Sequence, residues 1–453
     1  MPTERLVVIG GVAAGMSAAS RARKINPRLE IIVLEKGRDI SYGACGLPFL
    51  ISGQVARPEE LVVYTPEFFR EERKIDVRLE HEATEIEPGR KLIRALHRGS
   101  QPVDIHYDKL VIATGGAPAL SIPGAELPNV FNCNSLAAAI RLRRFLDDKN
   151  PGQAIIIGAS YIGLECAEAM VARGIKVSIL ERSASVLGGF EPEIARRVQQ
   201  GLSDRGVRLH TDAEATAIAA GPAGQGITVQ YGSGSAAQAD LALLATGVVP
   251  QTTLAQTAGM RLGATGAIAV DDRMQTSVNS VYAAGDCTEV MHLVSGKPTY
   301  FPLGTTANKQ GRVAGENAAG GNARFDGIVG TLATKVFDLE VAKTGLSTQQ
   351  ARADGFQPGR VVLESYSHAK YLGGKPLSVV LIWDQPSGRV LGCQMIGEEG
   401  AAKRVDAAAV ALHARMRVED LLHLDLSYAP PFGTVWEPLL IAAHEAVKRR
   451  RGG

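Results

Sequence analysis

At 453 residues, 45% hydrophobic and 21% charged, the chain has the composition of an ordinary globular protein and room for roughly two to four domains. A net charge of +2 gives no basis for nucleic acid or an acidic membrane surface as partner, and no apolar run reaches membrane-spanning length. The five cysteines (Cys45, Cys133, Cys166, Cys287 and Cys393) are scattered without a Cys-x-x-Cys pair, so neither a metal site nor a disulfide framework is indicated. A strand starting at Arg5 leaves no space for a signal peptide, and a cytoplasmic location is expected.

Arg5–Ile9 reads as a strand buried on both faces. It runs into Gly10-Gly11-Val12-Ala13-Ala14-Gly15 and an Ala-rich helix to Lys24; a second strand, Ile31–Leu34, ends in Glu35. Strand, glycine turn, helix, strand and acid form a dinucleotide fingerprint, in which the helix N-terminus holds pyrophosphate and the acid takes a ribose hydroxyl. Val12 replaces its middle glycine.

Next comes Ser41-Tyr42-Gly43-Ala44-Cys45-Gly46-Leu47-Pro48-Phe49-Leu50. Gly46 and Pro48 predict that Cys45 sits where a loop becomes a helix, with Pro48 in the first turn. The positive end of that helix favours the thiolate, the reactive form of cysteine. Taken alone, an unpaired cysteine is more often a small buried hydrophobe, and it is the rest of the chain that points to a reactive one.

A charged, helix-like stretch covers residues 57–80, and Val103–Leu110 reads as one strand entering Val111-Ile112-Ala113-Thr114-Gly115-Gly116, a small-residue turn suited to close approach of a ligand. Pro118, Pro123 and Pro128 mark a linker. The fingerprint then recurs: strand Ala154–Ile157, turn Gly158-Ala159-Ser160-Tyr161-Ile162-Gly163, helix Leu164–Arg173, strand Lys176–Leu180 and the acid Glu181. Ala245-Thr246-Gly247 repeats the earlier Ala-Thr-Gly turn, which makes a long-range internal repeat. Ser280–Ala284 is a further strand and ends in Gly285-Asp286, an acid at the strand end where open α/β sheets place ligands. Phe301–Ala319 reads as a loop leading into a helix. From Phe325 the fingerprints stop; strands at Val361–Leu363, Leu377–Trp383 and Val390–Gly392, with helices at about 401–416 and 434–450, predict an α+β domain.

Two dinucleotide sites call for one tightly held and one exchangeable nucleotide. The whole chain resembles the flavoprotein disulfide reductases with two dinucleotide-binding domains, specifically their single-cysteine branch of coenzyme A-disulfide reductases, NADH oxidases and NADH peroxidases. Ser41–Phe49 carries the most specific part of the likeness. The resemblance implies an α/β fold with two nucleotide-binding three-layer α/β domains plus a C-terminal α+β dimerisation domain. FAD would be bound by residues 1–120 and 247–325, NAD(P)H by 121–246, and residues 326–453 would form the homodimer. Relatives with an internal redox pair have a second cysteine five positions after the first; Leu50 stands there. Cys45 must then cycle with an external group, as a mixed disulfide or as a sulfenic acid. Oxidases and peroxidases of the branch carry a histidine in the first glycine loop, where this chain has Ala13, and this favours the coenzyme A-disulfide reductases.

By that resemblance FAD is held by Gly10, Gly11, Ala13, Ala14, Gly15, Glu35, Lys36, the backbone at Ala83, Ala113, Thr114, Gly115, Asp286, Gly304 and Thr305, with Phe432 reaching in from the other subunit. The nicotinamide nucleotide uses Gly158, Ser160, Tyr161, Ile162, Gly163, Glu165, Glu181 and Gly247. Glu181 suits an unphosphorylated ribose and favours NADH, while Arg182 beside it leaves NADPH open. Coenzyme A contacts fall on Ser17, Arg21, Lys24, Ser41, Ala44, Asn308 and Lys309, although Arg21 and Lys24 equally suit a solvated helix face. Tyr371 and Tyr428 of the second subunit stand beside Cys45 as hydrogen-bond or proton donors to a leaving sulfur, or else are interface aromatics; Leu372 occupies the place of a usual further tyrosine. The expected substrate is coenzyme A disulfide or a related small disulfide or persulfide. The alternatives are an NADH oxidase or peroxidase cycling through a Cys45 sulfenic acid, and a flavin-binding sensor or structural protein with an inert Cys45. The other four cysteines are expected to be structural.

Overall fold

The computed structural model describes residues 4–119 and 122–451. Unbroken apolar runs can only be buried on both faces, and they form the centres of two parallel sheets. In chain order the elements that position the site are β1 (Arg5–Ile9), α1 (Ala13–Ile25), β2 (Glu30–Leu34), α2 (Leu47–Ser52), β3 (Asp76–Arg78), β4 (Lys109–Ile112), β5 (Val130–Asn132), α3 (Leu136–Lys149), β6 (Gln153–Ile157), α4 (Tyr161–Val171), β7 (Lys176–Leu180), β8 (Arg208–His210), β9 (Leu241–Leu244), β10 (Val281–Ala283) and α5 (Gly304–Ala318). The first sheet has the order β10-β4-β1-β2-β3 and the second β8-β7-β6-β9-β5. The second lies wholly between β4 and β10 in sequence, so the first is assembled from two separated pieces of chain.

The two sheets repeat each other in detail. Gly10 and Gly158 leave their strands at φ +107° and +105°, and their N–H groups donate to Leu34 O and Leu180 O at 2.8 Å each. A Cβ on Gly10 would lie 2.1 Å from Ala113 O, and one on Gly158 would lie 2.4 Å from Ala245 O. The two Ala-Thr-Gly turns therefore press against the two glycine turns. At the position of the missing middle glycine, Val12 has φ −104° and Ser160 φ −75°, both negative, so neither position requires the left-handed backbone that favours glycine.

Helices α1 and α5 cross in direct backbone contact. A Cβ on Gly311 or Gly315 would fall 2.2 Å from Ala14 O and 2.0 Å from Ala18 O, so only glycine allows this approach.

The expected strand Val103–Leu110 is two strands. Gln101–His106 closes a three-stranded antiparallel sheet with His81–Glu87 and Leu92–His97, whereas β4 belongs to the parallel sheet. The break falls where Tyr107 turns inward and Asp108 Oδ2 accepts the Arg5 N–H at 2.7 Å. The charged stretch 57–80 resolves into a short turn, Pro58–Leu61, a helix, Pro66–Arg73, capped by Thr65 Oγ1, and β3.

The C-terminal domain is a five-stranded antiparallel sheet of β11 (Leu332–Val336), β12 (Leu339–Gly345), β13 (Pro358–Tyr366), β14 (Pro376–Asp384) and β15 (Val390–Gly397), in the order β11-β12-β15-β14-β13. Helices α6 (Ala401–His413) and α7 (Pro438–Arg451) pack on it, with Trp383 fully buried. The helix expected from residue 434 begins at Pro438, because proline disfavours helix at the residue before it. The helix expected to reach 416 stops at His413, ahead of Arg415 at φ +53°.

Candidate active site

Cys45 is placed by a strained, tightly tied segment. Ser41 has φ +48°, its N–H donates to Gly11 O at 2.9 Å, and its carbonyl accepts from Val63 N at 2.8 Å. Gly43 N–H donates to Leu61 O at 2.8 Å. A non-glycine residue in the left-handed region persists only where its surroundings dictate it, as these hydrogen bonds do here. The chain then makes a single 3-10 turn, Ala44–Gly46, and enters α2 with Pro48 in the first turn. Leu47, Leu50 and Ile51 bury one face of α2 against α3 and α4 of the second dinucleotide unit. The C-terminal carbonyls of α2 are held by that unit as well: Arg143 Nη1 donates to Leu50 O at 2.8 Å and Arg173 Nη1 to Ile51 O at 3.3 Å, with Asp147 binding both guanidiniums. The cysteine helix is thus clamped between the two nucleotide units.

Of the five cysteines only Cys45 is exposed; the other four are buried, as expected for structural residues. The expected lowering of its pKa does not occur in the polypeptide. Desolvation by the surrounding protein, then the carboxylates of Glu165 and Asp286, push the thiol up. One 3-10 turn ahead of a six-residue helix supplies too little dipole to outweigh these effects. A thiolate of higher pKa is intrinsically the better nucleophile once formed, though less abundant.

Glu165 lies on α4, and burial pushes its carboxyl up against the opposing hydrogen bond that Thr334 Oγ1 of β11 donates to Oε1 at 2.7 Å. Removing that donor leaves burial less opposed. Thr334→Val is therefore expected to raise the Glu165 pKa further and to move the acidic limb of the pH profile for reduction by NADH to higher pH. An unmoved limb would show that Thr334 does not tune this carboxylate.

The residues present fit two dinucleotides. Glu35 Oε2 accepts from Gly11 N and Oε1 from Gly37 N, both at 2.7 Å; Glu181 Oε2 accepts from Ala159 N and Oε1 from Ser183 N, both at 2.8 Å. Each acid so braces its own glycine turn while keeping lone pairs for a ribose hydroxyl. Gly15 and Gly163 let α1 and α4 begin directly on the turns, since a Cβ would meet Gly10 O at 1.9 Å and Gly158 O at 2.1 Å. Ala13 and Ala14 form the first turn of α1, and Tyr161 and Ile162 that of α4; the Ser160 hydroxyl donates to Ala245 O at 3.3 Å. Asp286 is largely enclosed, burial pushes its carboxyl up, and no described residue donates a hydrogen bond to it, which fits an acceptor for a cofactor hydroxyl. Ala83 sits at a bulge of its strand, where a backbone group is freed, and Lys36 lines a polar hollow with Arg38, Glu80 and Arg98. Ala113 N–H donates to Ile9 O, Thr114 Oγ1 is committed to Gln251 O at 2.7 Å, and Gly115 and Gly247 have φ +71° and +95°. Gly304 and Thr305 open α5 with exposed residues.

A cleft of about 400 Å³ runs between α1, α5 and the segment before Cys45. Of the residues expected to contact coenzyme A, Ser17, Arg21, Lys24, Ser41 and Asn308 line it. Ser17 Oγ donates to Asn308 Oδ1 at 2.6 Å, and Arg21 is paired with Glu316 at 2.5 Å. Ala44 lies in the turn with Cys45, outside the lining. Lys309 is exposed but does not line the cleft: one helical turn from Asn308 the wall is Arg312, and the i, i+4 spacing on α5 could have shown this. Tyr64 and Arg73 were also not anticipated. Arg73 stands 5.0 Å over the Tyr64 ring and donates to Ser20 Oγ at 2.5 Å. Arg21, Lys24, Arg73 and Arg312 make the cleft basic. Its wall ends at Gly43, two residues short of Cys45.

Tyr371, Tyr428 and Phe432 project from the C-terminal domain, at 78%, 48% and 80% exposure. Their two segments are tied together by Ala369 N–H donating to Pro430 O at 3.2 Å and by Arg404, which donates to Ser367 O and Phe432 O while paired with Glu437. Leu372, Val435 and Trp436 extend the same apolar surface.

Two dinucleotide cradles flanking one exposed cysteine define a nucleotide-dependent oxidoreductase. The chain belongs to the pyridine nucleotide-disulphide oxidoreductase family, which matches residues 4–311, with its dimerisation domain matching 331–438. Membership implies FAD and a nicotinamide nucleotide as cofactors. The chain is similar to the CoA-dependent NAD(P)H sulfur oxidoreductase of Pyrococcus furiosus, 37% identical over 447 residues, 98% of this chain and 99% of the relative. It is 33% identical over 448 residues, 98% and 99% of the two chains, to the NADH oxidase of Methanocaldococcus jannaschii. The solved structure of an NAD-dependent persulfide reductase from A. fulgidus matches with a TM-score of 0.95 at 37% identity, covering 99% of this chain and 84% of that one. No helix among the described residues is long and apolar enough to cross a membrane.

Proposed function

We propose that the protein is an FAD-dependent NAD(P)H:disulfide oxidoreductase that reduces coenzyme A disulfide, and related persulfides or polysulfides, through a Cys45–coenzyme A mixed disulfide. The observation that carries this reading is the basic, partly aromatic cleft whose wall ends two residues from the only exposed cysteine. Lys24, Arg73 and Arg312, with Arg21 already paired to Glu316, suit the phosphates of a nucleotide-tailed thiol, and an oxygen or peroxide acceptor needs no such cleft. A relative described as a CoA-dependent sulfur oxidoreductase supports the same substrate class.

Bound FAD supplies the two-electron relay between the nicotinamide and the sulfur centre. The remaining chemistry belongs to the chain. The Cys45 thiolate attacks one sulfur of coenzyme A disulfide, forming the Cys45–S–S–coenzyme A bond and breaking the old S–S bond. The departing thiolate takes a proton from Tyr371 or Tyr428 of the second subunit. Two electrons and one proton then cleave the mixed disulfide, returning the Cys45 thiolate and a second coenzyme A thiol, and a further proton restores the tyrosine. In sum, NADH, one proton and one disulfide give NAD⁺ and two thiols.

Glu181 favours NADH, because its charge would repel a 2′-phosphate. The exposed Tyr371–Trp436 surface suits a homodimer that brings each tyrosine to the other subunit's cysteine. Anaerobic turnover tests the reading: NADH oxidation should require coenzyme A disulfide and yield two thiols per NADH. Oxidation of NADH only when oxygen or peroxide is supplied would refute it.

A further inference from the structure

One loop, residues 182–191 between β7 and the helix Pro192–Asp204, ties the second dinucleotide cradle to the C-terminal domain. At its start Ser183 N–H donates to Glu181 Oε1 at 2.8 Å, and further on Leu187, at φ +52°, donates its N–H to Ala159 O at 3.0 Å. Both contacts fall on the cradle itself, since Glu181 is its acid and Ala159 lies in its glycine turn. The far end of the loop is held by Lys343 of β12 and Gln394 of β15, which face each other across the two strands. Lys343 Nζ donates to Gly189 O at 3.2 Å and stands 5.2 Å from the centre of the Phe190 ring. Gln394 Oε1 accepts from Glu191 N at 2.7 Å. The Glu191 carboxylate in turn accepts from Thr348 N at 2.6 Å and from Arg360 Nη1 at 2.8 Å.

A lysine is a costly choice at this place. Lys343 is 7% exposed, and among the described residues its ammonium makes a hydrogen bond only to Gly189 O and no ion pair. An apolar side chain would fill the same space without burying a charge. What the charge gains is its hold on the loop, through the Gly189 carbonyl and the face of Phe190. Burial, partly offset by Glu191, pushes the amine down to about 8. Lys343 is therefore charged below that pH and neutral above it, where the attraction to the ring and to Glu191 is lost. The other titratable group beside it is His292, which burial, opposed by Asp354 and helped by Lys343, pushes down to about 4, so it stays neutral through this range.

We propose that Lys343, together with Gln394, is a positioning residue for the nicotinamide nucleotide: from the C-terminal domain it holds loop 182–191, and through the loop Glu181 and the Ala159 turn, in the form that binds the nucleotide. This role rests on the reading above that the second cradle takes NAD(P)H.

Anaerobic reduction of the flavin in the holoprotein at varied NADH concentration reads affinity and limiting rate separately. Lys343→Met keeps the reach of the side chain and removes the charge; at about pH 7 it should weaken NADH binding about tenfold, as for loss of a hydrogen bond from a charged donor, with the limiting rate unchanged. In the wild type the Kd for NADH should rise as the pH passes upward through about 8, and in Lys343→Met that rise should be absent. Gln394→Met should weaken binding too but keep the pH dependence of the wild type. Unaltered NADH affinity in Lys343→Met, the same pH dependence with and without the lysine, or a wild-type Kd that is flat through this range would each overturn the proposal, as would a loss of limiting rate or melting temperature alone. Wild-type flavin reduced by neither NADH nor NADPH would instead refute the reading of the cradle, so the two failures are separable.

Discussion

Cys45→Ser is expected to lower NADH-dependent reduction of coenzyme A disulfide on the order of 10³-fold or more while leaving FAD bound at full occupancy. A serine hydroxyl cannot form the S–S bond on which the whole cycle depends, and no other cysteine can substitute, since the remaining four are buried. The substitution is also structurally mild. Cys45 is exposed, and the turn that carries it is set by neighbours: Ser41 N–H on Gly11 O, Gly43 N–H on Leu61 O, and Gly46, where a Cβ would come 2.4 Å from Leu61 Cδ2. The flavin-side turn is braced separately by Glu35. Disulfide turnover and flavin content, measured on the same preparation, decide the matter; a serine variant with unimpaired turnover contradicts the role of Cys45.

Removing both phenols in Tyr371→Phe/Tyr428→Phe is expected to slow disulfide turnover by about 10²-fold or more, the usual range for loss of a positioned proton donor. The defect should be greatest for leaving thiols of high pKa. Both residues are solvent-facing in the single chain, and their segments are fixed by Arg404 rather than by the rings, so phenylalanine should leave the fold intact. The arrangement across the subunits gives a sharper test. Hybrid dimers of a Cys45→Ser chain and a double-phenylalanine chain contain one site with both an intact cysteine and intact tyrosines, although neither parent dimer does. Activity in the hybrid approaching half that of wild type is expected; an inactive hybrid would place the tyrosines and cysteine in the same subunit, and an undiminished double-phenylalanine parent would remove the tyrosines from the chemistry.

Much of the first two units was legible because their chemistry and folding use the same residues. The turns Gly10–Gly15 and Gly158–Gly163, with Glu35 and Glu181, are local in sequence, and the acids fold back onto their own turns. Apolar runs such as Val7–Ile9 and Ile155–Ile157 could be nothing but central strands. Where the signal was poor, composition explains it. Ala215–Ala220 and Ser235–Ala239 are strands built largely of alanine, which carries neither β-branched bulk nor a clear alternation. Strands β11 and β12 interleave charged and small residues because one face of each meets the second nucleotide unit, as Thr334 does through Glu165.

The site was only partly readable for a different reason. Arg73 and Tyr64 reach the cleft from a helix and a loop distant from α1, so no spacing rule connects them. Arg312 was within reach of the helical period, whereas Lys309 lies off the lining of the cleft. The raised thiol of Cys45 was not legible at all, because it depends on Glu165 and Asp286, which only the fold brings near. The sequence reading of the helix dipole was sound physics applied to too short a helix.

The most direct measurement is an anaerobic titration of the protein as purified with NADH, counting electrons taken up per flavin and identifying by mass any thiol released on denaturation. Uptake of more than two electrons per flavin, with coenzyme A released from wild type but not from Cys45→Ser, is the expected result. Uptake of only two electrons, with no thiol released, would contradict a Cys45–coenzyme A disulfide as the resting redox centre.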